Sequence, residues 1–148
     1  MSSRLGQRAL RLQRIARVGD TLAKVAEGDW AQRLADVRAQ QERLGVVTNY
    51  CQDYAQLSSE REVISRDVLD WRRFREFSTW LYKVSVDQER EVSQAEFLSD
   101  AAAEHAAQKR GFARALQHVA DRASQQSAHQ VAVEEQQSLE ALWRPKDQ

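Results

Sequence analysis

The sequence predicts an all-α protein made of two long helices folded back on each other as an antiparallel coiled coil. Three observations carry that expectation. Apolar residues recur in alternating steps of three and four, a period that stays in line only on helices wound around a partner. The only proline is Pro145 and glycines number five in 148 residues, so few positions interrupt a helix. No segment alternates with period two for long and no Asn-Gly or Asp-Gly turn occurs, which sets aside a mixed or all-β fold. Hydrophobic residues reach 42%, but many are alanine, so a thin, elongated bundle spanning 1–148 as one domain is expected rather than a compact globule.

The first helix is expected from about Leu5 to Leu57. Its apolar stripe is traced by Leu12, Ile15, Val18, Leu22, Ala26, Trp30, Leu34, Val37, Gln41, Leu44, Val47, Cys51 and Tyr54. Leu22, Ala26, Trp30 and Leu34 advance in steps of four, a departure from the heptad that locally unwinds a left-handed supercoil. Gly19, Gly28 and Gly45 lie inside the helix and weaken it, each by up to about 1 kcal/mol relative to alanine.

A break is expected at Ser58-Ser59, where Ser59 and Glu62 have capping-box spacing, and the connection is placed between Ser58 and Arg73. The second helix runs from about Phe74 to Trp143, with Pro145 closing it. Its seam is read as Phe74, Phe77, Leu81, Val84, Gln88, Glu91, Ala95, Leu98, Ala102, His105, Lys109, Phe112, Leu116, Val119 and Ala123. Folded back, Leu57 falls near Phe77 and Leu12 near Val119 or Arg122. Residues after about Gln130 then lack a partner, and this overhang carries Glu134, Glu135 and Glu140 beside the basic start of the first helix. A parallel dimer of one very long helix is the competing architecture; the break at Ser58-Ser59 argues against it.

Signs of catalytic or metal chemistry are missing from the sequence. His105, His118 and His129 belong to no zinc-protease or di-iron spacing, and His105 is expected as a structural seam residue. Cys51 stands alone, which leaves no intrachain disulfide or cysteine metal cluster; a core thiol is expected. There is no glycine-rich phosphate loop and no serine-nucleophile motif, so no enzyme and no cofactor is expected. The formal net charge is zero, against general nucleic-acid binding. No apolar run approaches a membrane span, so direct membrane insertion is not expected. Arg4, Arg8, Arg11, Arg14 and Arg17 precede the first acid, Asp20. That pattern also fits a mitochondrial transit peptide, but the helical repeat runs through it unbroken and favours a basic helix face.

The segment QERLGVVTNYCQDYAQL, Gln41 to Leu57, ends the first helix with Tyr50 and Tyr54. The second helix opens with Phe74, Phe77, Leu81 and Val84, then Asp87-Gln88. With the chain length, the two-helix plan and the Glu/Gln-rich end, these features resemble the FliJ family of flagellar type III export proteins. Arg73-Phe74 stands where that family usually has Asn-Tyr, and Val84 where it has alanine. The resemblance implies a helical hairpin similar to the γ-subunit coiled coil of rotary ATPases. It implies a cytoplasmic stalk, peripheral to the inner membrane at the flagellar basal body. Such a stalk inserts into the hexameric export ATPase (FliI-like), promotes ring assembly and couples it to the export gate protein (FlhA-like). A FliH-like regulator and export chaperones are the further partners implied. Carried over by position, the gate strip is Phe77, Leu81, Val84 and Gln88; these four are equally readable as core. ATPase contact is expected from Arg8, Arg11 and Arg14 with Glu134, Glu135 and Glu140 at the charged tip. The alternatives are the equivalent stalk of a virulence type III secretion system, a generic structural coiled coil, and a nucleic-acid binder using the basic N-terminal arm.

Overall fold

The computed structural model describes residues 3–64 and 68–144, the side chains of 61–64 excepted. Two helices account for nearly all of them: α1, Arg4–Ile64, of 61 residues, and α2, Val68–Trp143, of 76 residues. They pack against each other as an all-α helical hairpin. Ser3 caps α1, its hydroxyl accepting a hydrogen bond from the Gly6 amide at 3.1 Å. This satisfies one of the unpaired donors of the first turn.

The expected break at Ser58-Ser59 is not there. Ser59 turns its hydroxyl back to the Gln56 carbonyl at 2.8 Å, a bond made within a continuing helix. The hydroxyl therefore does not cap a new helix, and α1 runs on to Ile64. At the other side, α2 begins at Val68, ahead of Phe74. What joins them is confined to 65–67, which lie outside the described residues, as does Pro145.

Contacts divide the chain into two compact units: a terminal unit, Met1–Glu27 with His105–Gln148, and a turn unit, Gly28–Glu104. Within the terminal unit, Gln13 bonds Ser124 at 2.9 Å and Glu27 pairs with Arg110 at 3.2 Å, so the helices run antiparallel. Within the turn unit, Gln40 meets Gln88 and Tyr54 meets Phe77, again antiparallel. Leu12, a neighbour of Gln13, thus lies beyond the expected Val119–Arg122, and Phe77 meets Tyr54 in place of Leu57.

Burial corrects the seam. Nine of the fifteen positions expected in α2 are covered, among them Phe74, Leu81, Val84, Gln88, Ala95 and Leu116. The other six are one residue out of phase. In place of Phe77, Glu91, Leu98, His105, Phe112 and Val119, the covered residues are Ser78, Val92, Ser99, Ala106, Ala113 and Ala120. Ala106 and Ala120 are 0% exposed, whereas Val119 is 48% exposed. His105, expected in the seam, is exposed. In α1 the same phase error falls on Ile15, Val18 and Leu22, where Ala16, Gly19 and Ala23 face inward, while Gln41 errs the other way and Gln40 is the covered residue. The slip at Trp30 and Leu34 is present: both are half-buried while Arg33 is exposed.

The physical reason is size. A seam lined by small side chains lets the backbones approach, and helix axes separate by about 8–10 Å according to the residues between them. A β-carbon added to Gly19 would lie 2.7 Å from Leu116 Cδ1 and 3.7 Å from Ala113 Cα. Leu116 takes the space that Gly19 leaves, while Ile15, Leu22, Phe112 and Val119 stand one position to the side.

Two stability predictions follow from this phase. Ala120→Leu overpacks the seam and costs about 1–3 kcal/mol, while Val119→Ala costs under about 1 kcal/mol. Urea midpoints in the reverse order would overturn the phase. Gly28→Ala and Gly45→Ala place a β-carbon in open space and each gain about 0.5–1 kcal/mol in helix propensity. Gly19→Ala gains less, because Leu116 must shift to admit it.

Candidate docking surfaces

The turn unit holds an aromatic cluster. Tyr54 of α1 stacks on Phe74 of α2 with centroids 4.3 Å apart and planes 11° from parallel. Phe77 leans on the same tyrosine at 4.6 Å, and Trp80 adjoins Phe77 at 5.5 Å. One heptad on, Cys51 is half-buried and its thiol approaches the Leu81 carbonyl at 3.9 Å. Gln88 Nε2 then donates to both the Gln40 carbonyl, at 3.1 Å, and the Gln40 side-chain oxygen, at 2.8 Å. A polar pair in a coiled-coil seam fixes register, because any slip leaves its donors and acceptors unsatisfied.

This geometry separates the four residues carried over as a gate strip. Leu81 is 8% exposed and belongs to the seam. Gln88 is half-buried and engaged with Gln40. Val84 is half-buried. Phe77, 43% exposed, is the one with a substantial open face. Tyr50, Leu57 and Trp80, which the sequence reading did not place in a strip, are exposed nearby in the chain. Their signal was there: Tyr50, Leu57, Phe77 and Val84 all stand one residue ahead of a seam position.

In the terminal unit, Arg8, Arg11 and Arg14 are exposed on α1 and Glu134, Glu135 and Glu140 on α2. Every described residue from Val131 to Arg144 is exposed, which is the unpaired overhang expected from helix lengths. The two sets are not brought together: among the described residues no ion pair joins them. Glu134 and Glu140 instead accept from Gln130 at 3.0 Å and Gln136 at 3.2 Å, one turn earlier on their own helix.

A surface that sequence reasoning absorbed into the core lies beside the terminal seam. Ile15 and Leu22 immediately precede Ala16 and Ala23, and Phe112 and Val119 immediately precede Ala113 and Ala120. All four large residues are exposed. In an antiparallel pair these columns flank the same side of the seam. The other side carries the polar pairs Gln13–Ser124 and Glu27–Arg110. One side of this unit is therefore polar and closed, and the other apolar and open.

Among the described residues no group of three or more His, Cys, Asp or Glu side chains is arranged to hold a metal ion. No helix of the described residues is long and apolar enough to cross a membrane. No protein-family model, curated protein or solved structure matches the chain.

The burial difference within the strip sets distinct costs. Leu81→Ala destabilises by about 2–4 kcal/mol as a seam truncation. Phe77→Ala costs about 1 kcal/mol through its lost ring contacts. Thermal melts showing Phe77→Ala as the costlier change would make Phe77 a core residue and close the surface.

Proposed function

We propose that this chain is a non-enzymatic coupling stalk of a type III protein export apparatus, of the kind found in the FliJ family. The observation that carries the reading is the unpaired end of α2. From Val131 to Trp143 α2 continues with no partner among the described residues, and it presents Glu134, Glu135 and Glu140 to solvent. A helix end with every residue exposed is slim, and the bonds its carboxylates make, Glu134 to Gln130 and Glu140 to Gln136, stay on their own helix. Both features suit contact with basic groups lining the pore of a hexameric export ATPase.

In this reading the terminal unit meets the ATPase ring through Glu134, Glu135, Glu140 and the arginines of α1. The turn unit meets the gate protein through the open face of Phe77, with Val84 beside it. Leu81 and Gln88 hold α1 and α2 together beneath that face, so they position the contact without forming it. A FliH-like regulator and export chaperones belong to the same proposal as further partners. A virulence secretion system offers the same three kinds of partner, and this surface suits either.

The open apolar side of the terminal unit favours a second reading, a coiled coil that assembles with itself. Ile15, Leu22, Phe112 and Val119 on one side of a hairpin are the makings of a four-helix interface.

One experiment separates the two. The chain is mixed with the hexameric export ATPase from the same genome, and hydrolysis and ring assembly are measured beside sedimentation velocity of the chain alone. The stalk reading expects stimulation that falls at least about threefold on Glu134→Lys/Glu135→Lys/Glu140→Lys, helicity being unchanged. Absence of binding and stimulation, with a dimer that Leu22→Ser and Phe112→Ser dissolve, overturns it in favour of self-assembly.

A further inference from the structure

We propose that the outer face of α2 next to the turn is a docking surface for an anionic phospholipid bilayer. This inference does not depend on the stalk reading; its cations lie away from the seam face of α2, and Trp80 at its edge adjoins Phe77.

Arg72, Arg75, Glu76, Thr79, Trp80 and Lys83 line one shallow depression on α2. All six are exposed, and none of them occupies a seam position. The Arg75 guanidinium lies over the Trp71 ring, 5.1 Å from its centroid. That contact holds the cation on an aromatic surface. Among the described residues none of Arg72, Arg75 and Lys83 forms an ion pair. Arg73 adds a fourth cation to the segment, against the carboxylates of Asp70 and Glu76.

The aromatic residues define the partner. Trp80 is 56% exposed on one flank of these cations, and Trp71 and Tyr82 are exposed on the opposite flank. An exposed indole, here touching Phe77 along one side only, keeps an apolar body and a polar tip, which suits the boundary between headgroups and acyl chains. Arginine and lysine extend their apolar stems in that boundary while their charged heads meet lipid phosphates. Cations flanked by aromatic rings on an open helix face fit a flat anionic surface. A groove-binding peptide would require a continuous apolar strip, which lies on the other side of α2. A nucleic-acid partner would require many phosphate contacts, and the chain's formal net charge is zero. Since no described helix is apolar enough to cross a membrane, the contact is interfacial.

The test uses the full chain and vesicles of equal parts phosphatidylglycerol and phosphatidylcholine, beside vesicles of phosphatidylcholine alone. The chain is expected to co-sediment with the first and not the second, to be released by salt, and to show tryptophan quenching by brominated lipid. Arg72→Glu/Arg75→Glu/Lys83→Glu is expected to abolish sedimentation, each cation near such a surface being worth about fivefold in binding. Trp80→Ala is expected to weaken it several-fold, with far-UV circular dichroism of both variants unchanged. Equal binding to both vesicles, no binding to either, or a triple variant that binds like the parent overturns the proposal. So does a DNA duplex bound more tightly than the vesicles and lost in the same triple variant, which assigns the face to nucleic acid.

Discussion

Close approach of α1 and α2 over small side chains is the constraint on which the other features depend. Ala16, Gly19 and Ala23 on one helix, and Ala106, Ala113 and Ala120 on the other, leave little between the backbones of the terminal unit. Burial of alanine removes little apolar area, so each such residue contributes modestly to stability. The helices gain instead from close packing along their lengths, where many weak contacts add up. The consequence appears on the surface. Ile15, Leu22, Phe112 and Val119 have no room inside and stand exposed beside the seam.

The turn unit solves the same problem differently. Tyr54, Phe74, Phe77 and Trp80 bring ring-to-ring contact where the terminal unit has alanine. The Gln40–Gln88 pair, a heptad and more away from the rings, adds direction-dependent bonds that apolar contacts lack. Rings and amides hold register here, and the residues that hold it are partly those the family resemblance had assigned to a partner. Leu81 and Gln88 are committed inside the hairpin; Phe77 has one face inward and one outward. A docking strip at this place is thus narrower than the sequence pattern implied.

The fold class was legible because proline and glycine scarcity and the three-four period act over tens of residues and survive local error. So was the overhang of α2, which follows from helix lengths alone. The seam phase was not, for a specific reason: apolar size was taken as the signal of burial. At Phe112-Ala113 and Val119-Ala120 the larger residue attracts the eye, and the smaller one fills the gap. Ser99, at 4% exposure, sits in the seam although it is polar, since a small hydroxyl fits where Leu98 does not. The connection was misplaced because a serine with capping-box spacing also bonds back to its own helix, and spacing alone does not choose between them. Of the candidate site, the charged tip was readable from composition. The open side of the terminal unit and the Arg75–Trp71 stack required knowing which way each helix turns.

The most direct test of this account is a pair of disulfide traps in a Cys51→Ser background, read by mobility on non-reducing gels. Gly19→Cys with Ala113→Cys places two thiols on facing seam positions, within the short reach a disulfide requires. Val18→Cys with Phe112→Cys places them one residue out of phase, where the larger apolar residues would meet if they formed the core. The account predicts a rapid intrachain cross-link in the first variant and little in the second. A cross-link formed by the second and not the first would contradict it.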